Sequence, residues 1–306
     1  MRCFIAIAAV LTTLTFPLIS YATDGKIVFT SNRSGNFDIY IMDEDGSHLK
    51  NITKHPTAID FSPSWGPDGN TIVFERRGWG IYIGNIDDQN WRLVTNGAGL
   101  FPLLSPGGTQ IAYVENPVGT VLWLSVVDIT GENHKRIRRL NDINDKPHTW
   151  APDGSQIAFC DNNGKLYIFD LSSGNCEQIT CKAKGRDIQV LDVDWSPVGD
   201  KLAIAADYPD RNMQGLWVMN IDGSSVRRIT IAMDRAPEWS PDGTQLAFHG
   251  IQNADWEIYI IDMDGRNRKC LTMNNGASMH PAWFSSPQSV SVRNRITTIW
   301  GKLKKF

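Results

Sequence analysis

The stretch WSPDGTQLAFHG, residues 239–250, places a tryptophan, a Pro–Asp–Gly turn and an apolar run side by side. Proline presets φ for a turn, aspartate bonds the nearby backbone, and glycine adopts the left-handed conformation that such a turn uses. The LAF run that follows has the apolar character of a buried strand. The chain is therefore predicted to pass here from one strand through a tight turn into a second strand.

This pattern recurs along the chain. The further copies are WGPDGNTIVF (65–74), LSPGGTQIAY (104–113), WAPDGSQIAF (150–159) and WSPVGDKLAI (195–204). The first residue of each copy is called the anchor here, and the anchors at 65, 104, 150, 195 and 239 are spaced by 39, 46, 45 and 44 residues. Trp283, in HPAWFSS, follows 44 residues later as a sixth anchor. A period of this length is typical of a four-stranded propeller blade.

The count of strand types predicts how the ring closes. Strands two, three and four each recur six times between residues 24 and 272. The first strand also recurs six times, but the second strand at residues 27–29 has no first strand before it, and the first strand that contains Trp283 has no second strand after it. We therefore predict an all-β fold, a six-bladed β-propeller of four-stranded blades, closed by the C-terminal strand joining the N-terminal blade. The predicted blades cover about residues 24–53 plus 280–284, 61–95, 100–141, 146–180, 191–230 and 235–272.

The two ends of the chain differ from the repeats. Residues 1–22 combine Arg2 with a long apolar run and the small-residue pattern SYA, which predicts a signal peptide cut near Ala22 and a periplasmic or secreted protein. The propeller then occupies residues 23–284, and residues 285–306 form a basic tail without acidic residues. No later stretch is apolar enough to cross a membrane.

Composition narrows the function classes. The 306 residues carry a net charge of −3, which gives no electrostatic reason to bind nucleic acid. Export makes disulfides possible, but the sequence assigns no pair among Cys160, Cys176, Cys181 and Cys270, whose redox state is left open. We expect a monomer.

The repeats resemble a known family. The aromatic–Ser–Pro–Asp–Gly motif, together with SNRSGNFDIYIMDEDG (31–46) and NIT (51–53), is similar to the Tol-type repeat of the TolB propeller, the periplasmic component of the Tol–Pal system. The resemblance covers nearly all of residues 24–284 and implies a lone propeller without the family's N-terminal α/β domain. It also implies an envelope or extracellular protein partner, such as a peptidoglycan-associated lipoprotein.

Ser240, Asp242 and His249 are the residue types of a hydrolase triad. No other repeat keeps both the serine and the aspartate, because Gly, Ala or Val stands at one of the two positions in each copy, and no G-x-S-x-G nucleophile elbow occurs. We therefore assign the serine and aspartate to the turn and name no catalytic residue.

A second group of polar residues stands just before the anchors, on the strands predicted to line the central channel. These candidate binding residues are Asp60, Asp145, His148, Asp192, Asp234, Arg235 and His280. Converging carboxylates suit Ca²⁺ or another divalent cation, and imidazoles suit a transition metal. Such a site would serve the alternative function, a metal-dependent lyase or lactonase acting on a glycan or small molecule. In the alternative interpretation, each Asp caps a turn and faces a water-filled channel, and no cofactor is bound.

Four tryptophans lie outside the repeated aromatic positions: Trp79, Trp91, Trp256 and Trp300. Tryptophan is enriched in binding hot spots, so these are candidate surface contacts, although each could instead fill a gap between blades. The tail, which includes Trp300, is expected either to bind a partner protein or anionic lipid, or to pack against the side of the propeller. Because the recurring residues all serve blades and turns, we predict a non-enzymatic protein–protein binding module.

Overall fold

The computed structural model describes residues 25–97, 99–116, 121–140, 147–161, 163–183, 185–206, 213–273 and 276–284. The predicted signal peptide and the basic tail lie outside these residues. Within them, six four-stranded antiparallel sheets and one two-stranded ribbon account for all the β-ladders. This arrangement is a six-bladed propeller, as predicted.

The strands of the first three blades follow chain order, except that the innermost strand of blade 1 comes from the C-terminal end. Blade 1 contains β1 (Lys26–Ser31), β2 (Asp38–Asp43), β3 (Lys50–Asn51) and β26 (Ser278–Phe284). Blade 2 contains β4 (Asp60–Trp65), β5 (Thr71–Arg76), β6 (Gly80–Asn85) and β7 (Trp91–Asn96). Blade 3 contains β8 (Gly99–Leu104), β9 (Gln110–Glu115), β10 (Leu122–Asp128) and β11 (Lys135–Leu140).

The other three blades are each continuous in sequence. Blade 4 contains β12 (His148–Trp150), β13 (Gln156–Cys160), β14 (Leu166–Asp170) and β15 (Cys176–Ile179). A ribbon of β16 (Lys182–Ala183) and β17 (Arg186–Asp187) follows. Blade 5 contains β18 (Val190–Trp195), β19 (Lys201–Ala206), β20 (Gly215–Asn220) and β21 (Arg227–Arg228). Blade 6 contains β22 (Asp234–Trp239), β23 (Gln245–Gln252), β24 (Asp255–Asp262) and β25 (Lys269–Cys270).

The ring closes through the pairing of the two chain ends. Strand β26 lies antiparallel to β1, with Ile27 opposite Trp283 and Lys26 opposite Phe284. This pairing confirms the closure predicted from the shifted strand count. It also covers the inner edge of β1, which would otherwise be open to pairing with another chain.

The core lies between neighbouring blades. Each second strand is apolar on both faces because it is sandwiched between two blades, and Phe29, Phe74, Phe159 and Phe248 are at most 1% exposed there. Val28 of β1 packs with Trp65 and Ile72 of blade 2, for example. Truncating a buried phenylalanine of this kind costs about 3–5 kcal/mol.

Two recurring polar contacts explain the remaining repeat residues. A threonine at or just beyond the end of strand four accepts a hydrogen bond from a backbone N–H of strand three, as in Thr272 Oγ1 with Ile258 N at 2.9 Å. The anchor indoles of Trp65, Trp150 and Trp239 donate to the backbone carbonyl just before the anchor of the preceding blade, at 3.0, 3.1 and 3.3 Å. These bonds link each blade internally and to its neighbour.

Because the strands alternate in direction, the connections fall on two sides of the ring. The tight turns between strands one and two lie on one side, called the turn face here. The connections between strands two and three, and those between successive blades, lie on the opposite side, called the loop face. Innermost strands therefore begin at the loop face and end at the turn face.

Candidate functional site

Ser240 and Asp242 serve the turn in which they lie. Ser240 Oγ donates to Asp242 Oδ1 at 2.7 Å and accepts from the Gln245 N–H at 2.9 Å. His249 lies near the other end of β23, where its Nδ1 accepts a hydrogen bond from the His280 N–H at 3.3 Å. The hydroxyl and the carboxylate are therefore bonded to each other within the turn, whereas the imidazole is engaged elsewhere, with the backbone of His280.

Two of the predicted channel aspartates are held in ion pairs by arginines of their own blades. Arg76 Nε and Nη2 donate to the two oxygens of Asp60 at 2.8 and 2.9 Å. Arg268 holds Asp234 in the same bidentate way at 2.7 and 2.9 Å. Both aspartates are fully buried. Their carboxylates are therefore paired with guanidinium groups.

The other predicted channel residues have different surroundings. Asp192 is buried and accepts the Ala236 N–H of the next innermost strand at 3.0 Å, which joins β18 to β22. His148 is also buried, in β12. Asp145 lies outside the described residues. Within the described part of the chain, no group of three or more His, Cys, Asp or Glu side chains is arranged to hold a metal ion.

Arg235, His249 and His280 come together where blades 6 and 1 meet. The two imidazole centroids are 5.3 Å apart, and Trp256 packs edge-on against His249 at 4.8 Å. Burial holds the pKa of His249 well below its ordinary value, and the nearby charges of His280 and Arg235 lower it further. His249 therefore stays neutral within this cluster.

A small cavity opens in the channel beside His280. It measures about 30 Å³ and is lined by innermost strands of blades 1, 2, 3 and 6. Four residues with left-handed backbone shape these strands: Ser62, Phe101, Ala236 and His280, with φ between 46° and 51°. Each lies three positions before its anchor, at a β-bulge.

The sequence carries a signal for these bulges that the repeat alignment alone misses. A proline follows each of the four left-handed residues, namely Pro63, Pro102, Pro237 and Pro281. Proline lacks the N–H that a regular ladder uses, so it favours a bulge in a paired strand. Blades 4 and 5 have His148 and Val193 at this position.

The turn face opens differently. There the six anchors surround a channel mouth of about 380 Å³, bordered by turn prolines such as Pro67, Pro152 and Pro241. The walls of this mouth are therefore residues that the repeats already require for the blades.

The loop face carries most of the exposed large apolar side chains of the described residues. Trp79 lies between strands two and three of blade 2, and Ile251 lies near the end of β23. Ile231, Met233 and Met273 lie in connections between blades. The exposed fractions are 52% for Trp79, 82% for Ile231, 40% for Met233, 48% for Ile251 and 56% for Met273.

Charged and aromatic groups accompany this apolar surface. The guanidinium of Arg77 lies 4.4 Å from the Phe61 ring centroid and 3.6 Å from Glu75. Burial raises the pKa of Glu75 to about 7, although Arg77 and the backbone of Phe101 oppose the shift. His55 packs edge-on against Trp79 at 5.7 Å. The loop face thus combines exposed apolar side chains with Glu75, a buried carboxyl group whose pKa is raised to about 7.

The other two described tryptophan candidates are packed within the fold. Trp91 lies edge-on to the core residue Phe74 at 5.1 Å, and Trp256 covers His249. Trp300 lies outside the described residues. None of the described residues forms a helix long and apolar enough to cross a membrane.

Comparison with known proteins identifies relatives of this propeller. The TolB protein of Bordetella pertussis is 27% identical over 269 residues, which cover 84% of this chain and 59% of that protein. The crystal structure of TolB from Acinetobacter baumannii superposes with a TM-score of 0.75 at 22% identity, covering 86% of this chain and 67% of that one. This chain thus spans less than two thirds of the Bordetella protein.

A more distant structure shares the fold alone. Oligogalacturonate lyase in complex with manganese superposes with a TM-score of 0.53 at 11% identity, covering 77% of this chain and 85% of that one. The family profile described as the TolB beta propeller domain matches residues 17–120 and 73–287. The chain therefore belongs to the TolB beta propeller domain family.

Proposed function

We propose that this protein is an exported, non-enzymatic propeller that binds a protein partner in the cell envelope through its loop face. The observation that carries the proposal is the group of exposed apolar side chains on that face. Exposed apolar groups rimmed by polar residues are typical of protein-binding surfaces. A rigid ring supplies a pre-organised surface, so little conformational entropy is lost on binding.

The relatives suggest the kind of partner. The Bordetella and Acinetobacter proteins carry the name TolB, and the former is named for the Tol–Pal system. We therefore take a peptidoglycan-associated lipoprotein as the first partner to test. The predicted signal peptide would place this protein in the periplasm, where such a partner is reached.

The contacts around Trp79 support its role as a central residue of the proposed interface. Its ring is half exposed, yet His55 packs against one edge and Arg76 lies 6.0 Å from its centroid. A partly fixed aromatic ring loses little rotamer freedom on binding, which is why tryptophan is common in hot spots. Burying such a ring contributes ~1.5–3 kcal/mol.

The lyase or lactonase alternative has less support among the described residues. Asp60 and Asp234 are paired with arginines, and Asp192 accepts a backbone N–H. The likeness to oligogalacturonate lyase extends to the fold only. This alternative stays a prediction from the sequence.

The test compares two charge substitutions on opposite faces. Ile231 on the loop face is 82% exposed and Val198 on the turn face is 79% exposed, so Ile231→Asp and Val198→Asp perturb equally open aliphatic positions. The affinity of each variant for the soluble domain of the source organism's peptidoglycan-associated lipoprotein is measured by biolayer interferometry. We expect Ile231→Asp to weaken binding at least about tenfold, because a carboxylate would be desolvated in the interface. Equal affinities for both variants would refute the assignment of the face.

A further inference from the structure

The hairpin between β5 and β6 presents two side chains at the loop face. Arg77 and Gly78 form its tip, where the Trp79 N–H donates to the Arg76 carbonyl at 2.9 Å and Gly78 has a φ of 79°. The side chain of Arg77 is 57% exposed, and Trp79 is 52% exposed. Because the tight turn fixes the backbone of both residues, a partner side chain that packs on the indole lies close to the guanidinium.

A buried carboxyl group lies beside the exposed guanidinium. Glu75 is 2% exposed, and its Oε1 lies 3.6 Å from Arg77 Nε. Within the described residues, this oxygen has no hydrogen-bond partner. The backbone N–H of Phe101, on β8, forms a hydrogen bond with the same carboxyl group. The ion pair between Glu75 and Arg77 is therefore longer than a hydrogen bond, and only its guanidinium reaches the surface.

The strands beside Glu75 are apolar at this level. Phe61 on β4 and Ile81 on β6 stand opposite it in the sheet. His280, the titratable residue that β26 contributes here, packs against the Phe61 ring at 5.9 Å between centroids. Burial raises the pKa of Glu75 to about 7, and the attraction of Arg77 opposes that rise. The charge of Glu75 at neutral pH therefore depends on how closely Arg77 attends to it.

The repeat does not require a carboxyl group at this position. A buried carboxyl group costs free energy that a neutral or apolar side chain avoids, so Glu75 adds nothing to the packing of its blade. Its position beside Arg77 is the feature that distinguishes blade 2 from the others. The residues that stand there in the other blades are Thr30, Val114, Cys160, Ala205 and His249.

We infer that Arg77 exchanges Glu75 for an acidic side chain of the partner, and that Glu75 takes up a proton from solvent as the complex forms. This inference rests on the proposed function, since the partner is the envelope protein bound at the loop face. A carboxylate at the surface can accept two N–H groups of one guanidinium, whereas Glu75 Oε1 accepts none. The added negative charge beside Arg77 raises the pKa of Glu75 further, so the buried carboxyl group becomes neutral.

Proton uptake makes the affinity depend on pH. A complex that holds one more proton than its free components tightens as pH falls. Binding is therefore strongest below the pKa of free Glu75, about 7, and weakens as pH rises above it. We expect affinity at least about fivefold higher at about pH 6 than at about pH 9, because a tenfold change accompanies each pH unit by which the pKa of Glu75 rises on binding.

The test measures the affinity for the soluble domain of the peptidoglycan-associated lipoprotein by biolayer interferometry across this pH range. Glu75→Gln imitates the protonated carboxyl group, so it should bind throughout as tightly as the unsubstituted protein does at about pH 6. Any pH dependence that remains in Glu75→Gln belongs to other groups, and the difference between the two profiles isolates Glu75.

Two arginine substitutions test the exchange of partners. Arg77→Gln should weaken binding at least about tenfold at about pH 7, because it removes a charged hydrogen bond to the partner. Arg266→Gln is the matched control and should leave the affinity unchanged. Arg266 is 82% exposed and lies 3.8 Å from Asp264, in the turn between β24 and β25 on the opposite side of the ring. Thermal unfolding checks that each variant is folded.

The outcomes separate this inference from the proposed function. Identical pH profiles for Glu75→Gln and the unsubstituted protein, or unchanged affinity for Arg77→Gln, would overturn the inference alone, provided that Ile231→Asp still weakens binding. Absence of any complex would overturn both. A carbon-13 NMR titration of the free protein checks the ion pair without a partner: Arg77→Gln should raise the pKa of Glu75, and an unchanged titration midpoint would also overturn the inference.

Discussion

The two bidentate Asp–Arg pairs allow a graded test of how burial sets the strength of an ion pair. Asp60→Asn and Asp234→Asn each remove one negative charge while keeping the shape of the side chain. Asp60 and Asp234 are both fully buried, but Arg76 is 8% exposed whereas Arg268 is 31% exposed. The two substitutions therefore differ mainly in whether the abandoned guanidinium can reach water.

The expected magnitudes follow from that difference. Removing one partner of a buried ion pair costs about 3–5 kcal/mol, because the other charge is left uncompensated. We expect this loss for Asp60→Asn, and a smaller loss of about 2 kcal/mol for Asp234→Asn, between the values for exposed and buried pairs. In a domain of this size, the larger loss lowers Tm by roughly 6–20 °C.

Urea unfolding followed by tryptophan fluorescence measures the free energy of unfolding of each variant. Asp264→Asn is the control, since Asp264 and Arg266 are 3.8 Å apart with both side chains mostly exposed, and it should not change stability measurably. An equal loss for Asp60→Asn and Asp234→Asn would refute the role of Arg268's exposure. No loss for either would show that the carboxylates are not held in these pairs.

Three further outcomes test the repeat contacts and the titration of Glu75. Thr272→Val should lower the free energy of unfolding by about 1–3 kcal/mol, because it removes the acceptor for the Ile258 N–H and the donor to buried Glu257. Thr244→Val, in an exposed turn, is the control. Gly223→Ala should destabilise the protein more than Gly174→Ala in the same unfolding assay. Both glycines have positive φ, so the backbone strain is similar. A Cβ on Gly223 would lie 2.3 Å from the Thr180 carbonyl oxygen, whereas a Cβ on Gly174 would meet no atom within 4 Å. Because the folded pKa of Glu75, about 7, exceeds its ordinary 4.5, its contribution is fully present below pH 4.5 and is lost as pH rises to about 7. Urea midpoints of Glu75→Gln should therefore fall less over this range than those of the unsubstituted protein, and parallel pH profiles would contradict the assignment.

The blades could be predicted from the sequence because the residues that form the turns and the buried strands recur in each repeat. The Pro–Asp–Gly turns specify their backbone, and the spacing of the anchors specifies the number of blades. The shifted strand count was enough to predict that β26 pairs with β1. These features depend on residues close in sequence, so they can be recognised without the structure.

The channel residues could not be placed in this way. Counting back from the anchors assumes regular strands, in which side chains alternate strictly between faces. A bulge inserts one residue and reverses the side chains that precede it. Asp60 and Asp234 precede such bulges, and they pair with arginines of their own blades. Arg76 comes from β5 and Arg268 from the turn just before β25, and no repeat position identifies them as partners.

The contact between His249 and His280 could also not be predicted from the sequence. The two residues belong to blades 6 and 1, which become neighbours only when the ring closes. Of the exposed apolar side chains of the loop face, Ile231 and Met273 share a repeat position, directly after Thr230 and Thr272, whereas the others share none. Their common location depends on which side of the ring each connection lies.

Hydrogen exchange on the complex with the soluble domain of the peptidoglycan-associated lipoprotein tests the proposed binding surface most directly. The account predicts slower exchange on binding at loop-face backbone around Trp79, Ile231 and Met273. Turn-face backbone around Pro67 and Val198 should exchange at the same rate in the free and bound protein. Protection at the turn face alone, or no complex at all, would contradict the proposal that the loop face binds this envelope partner.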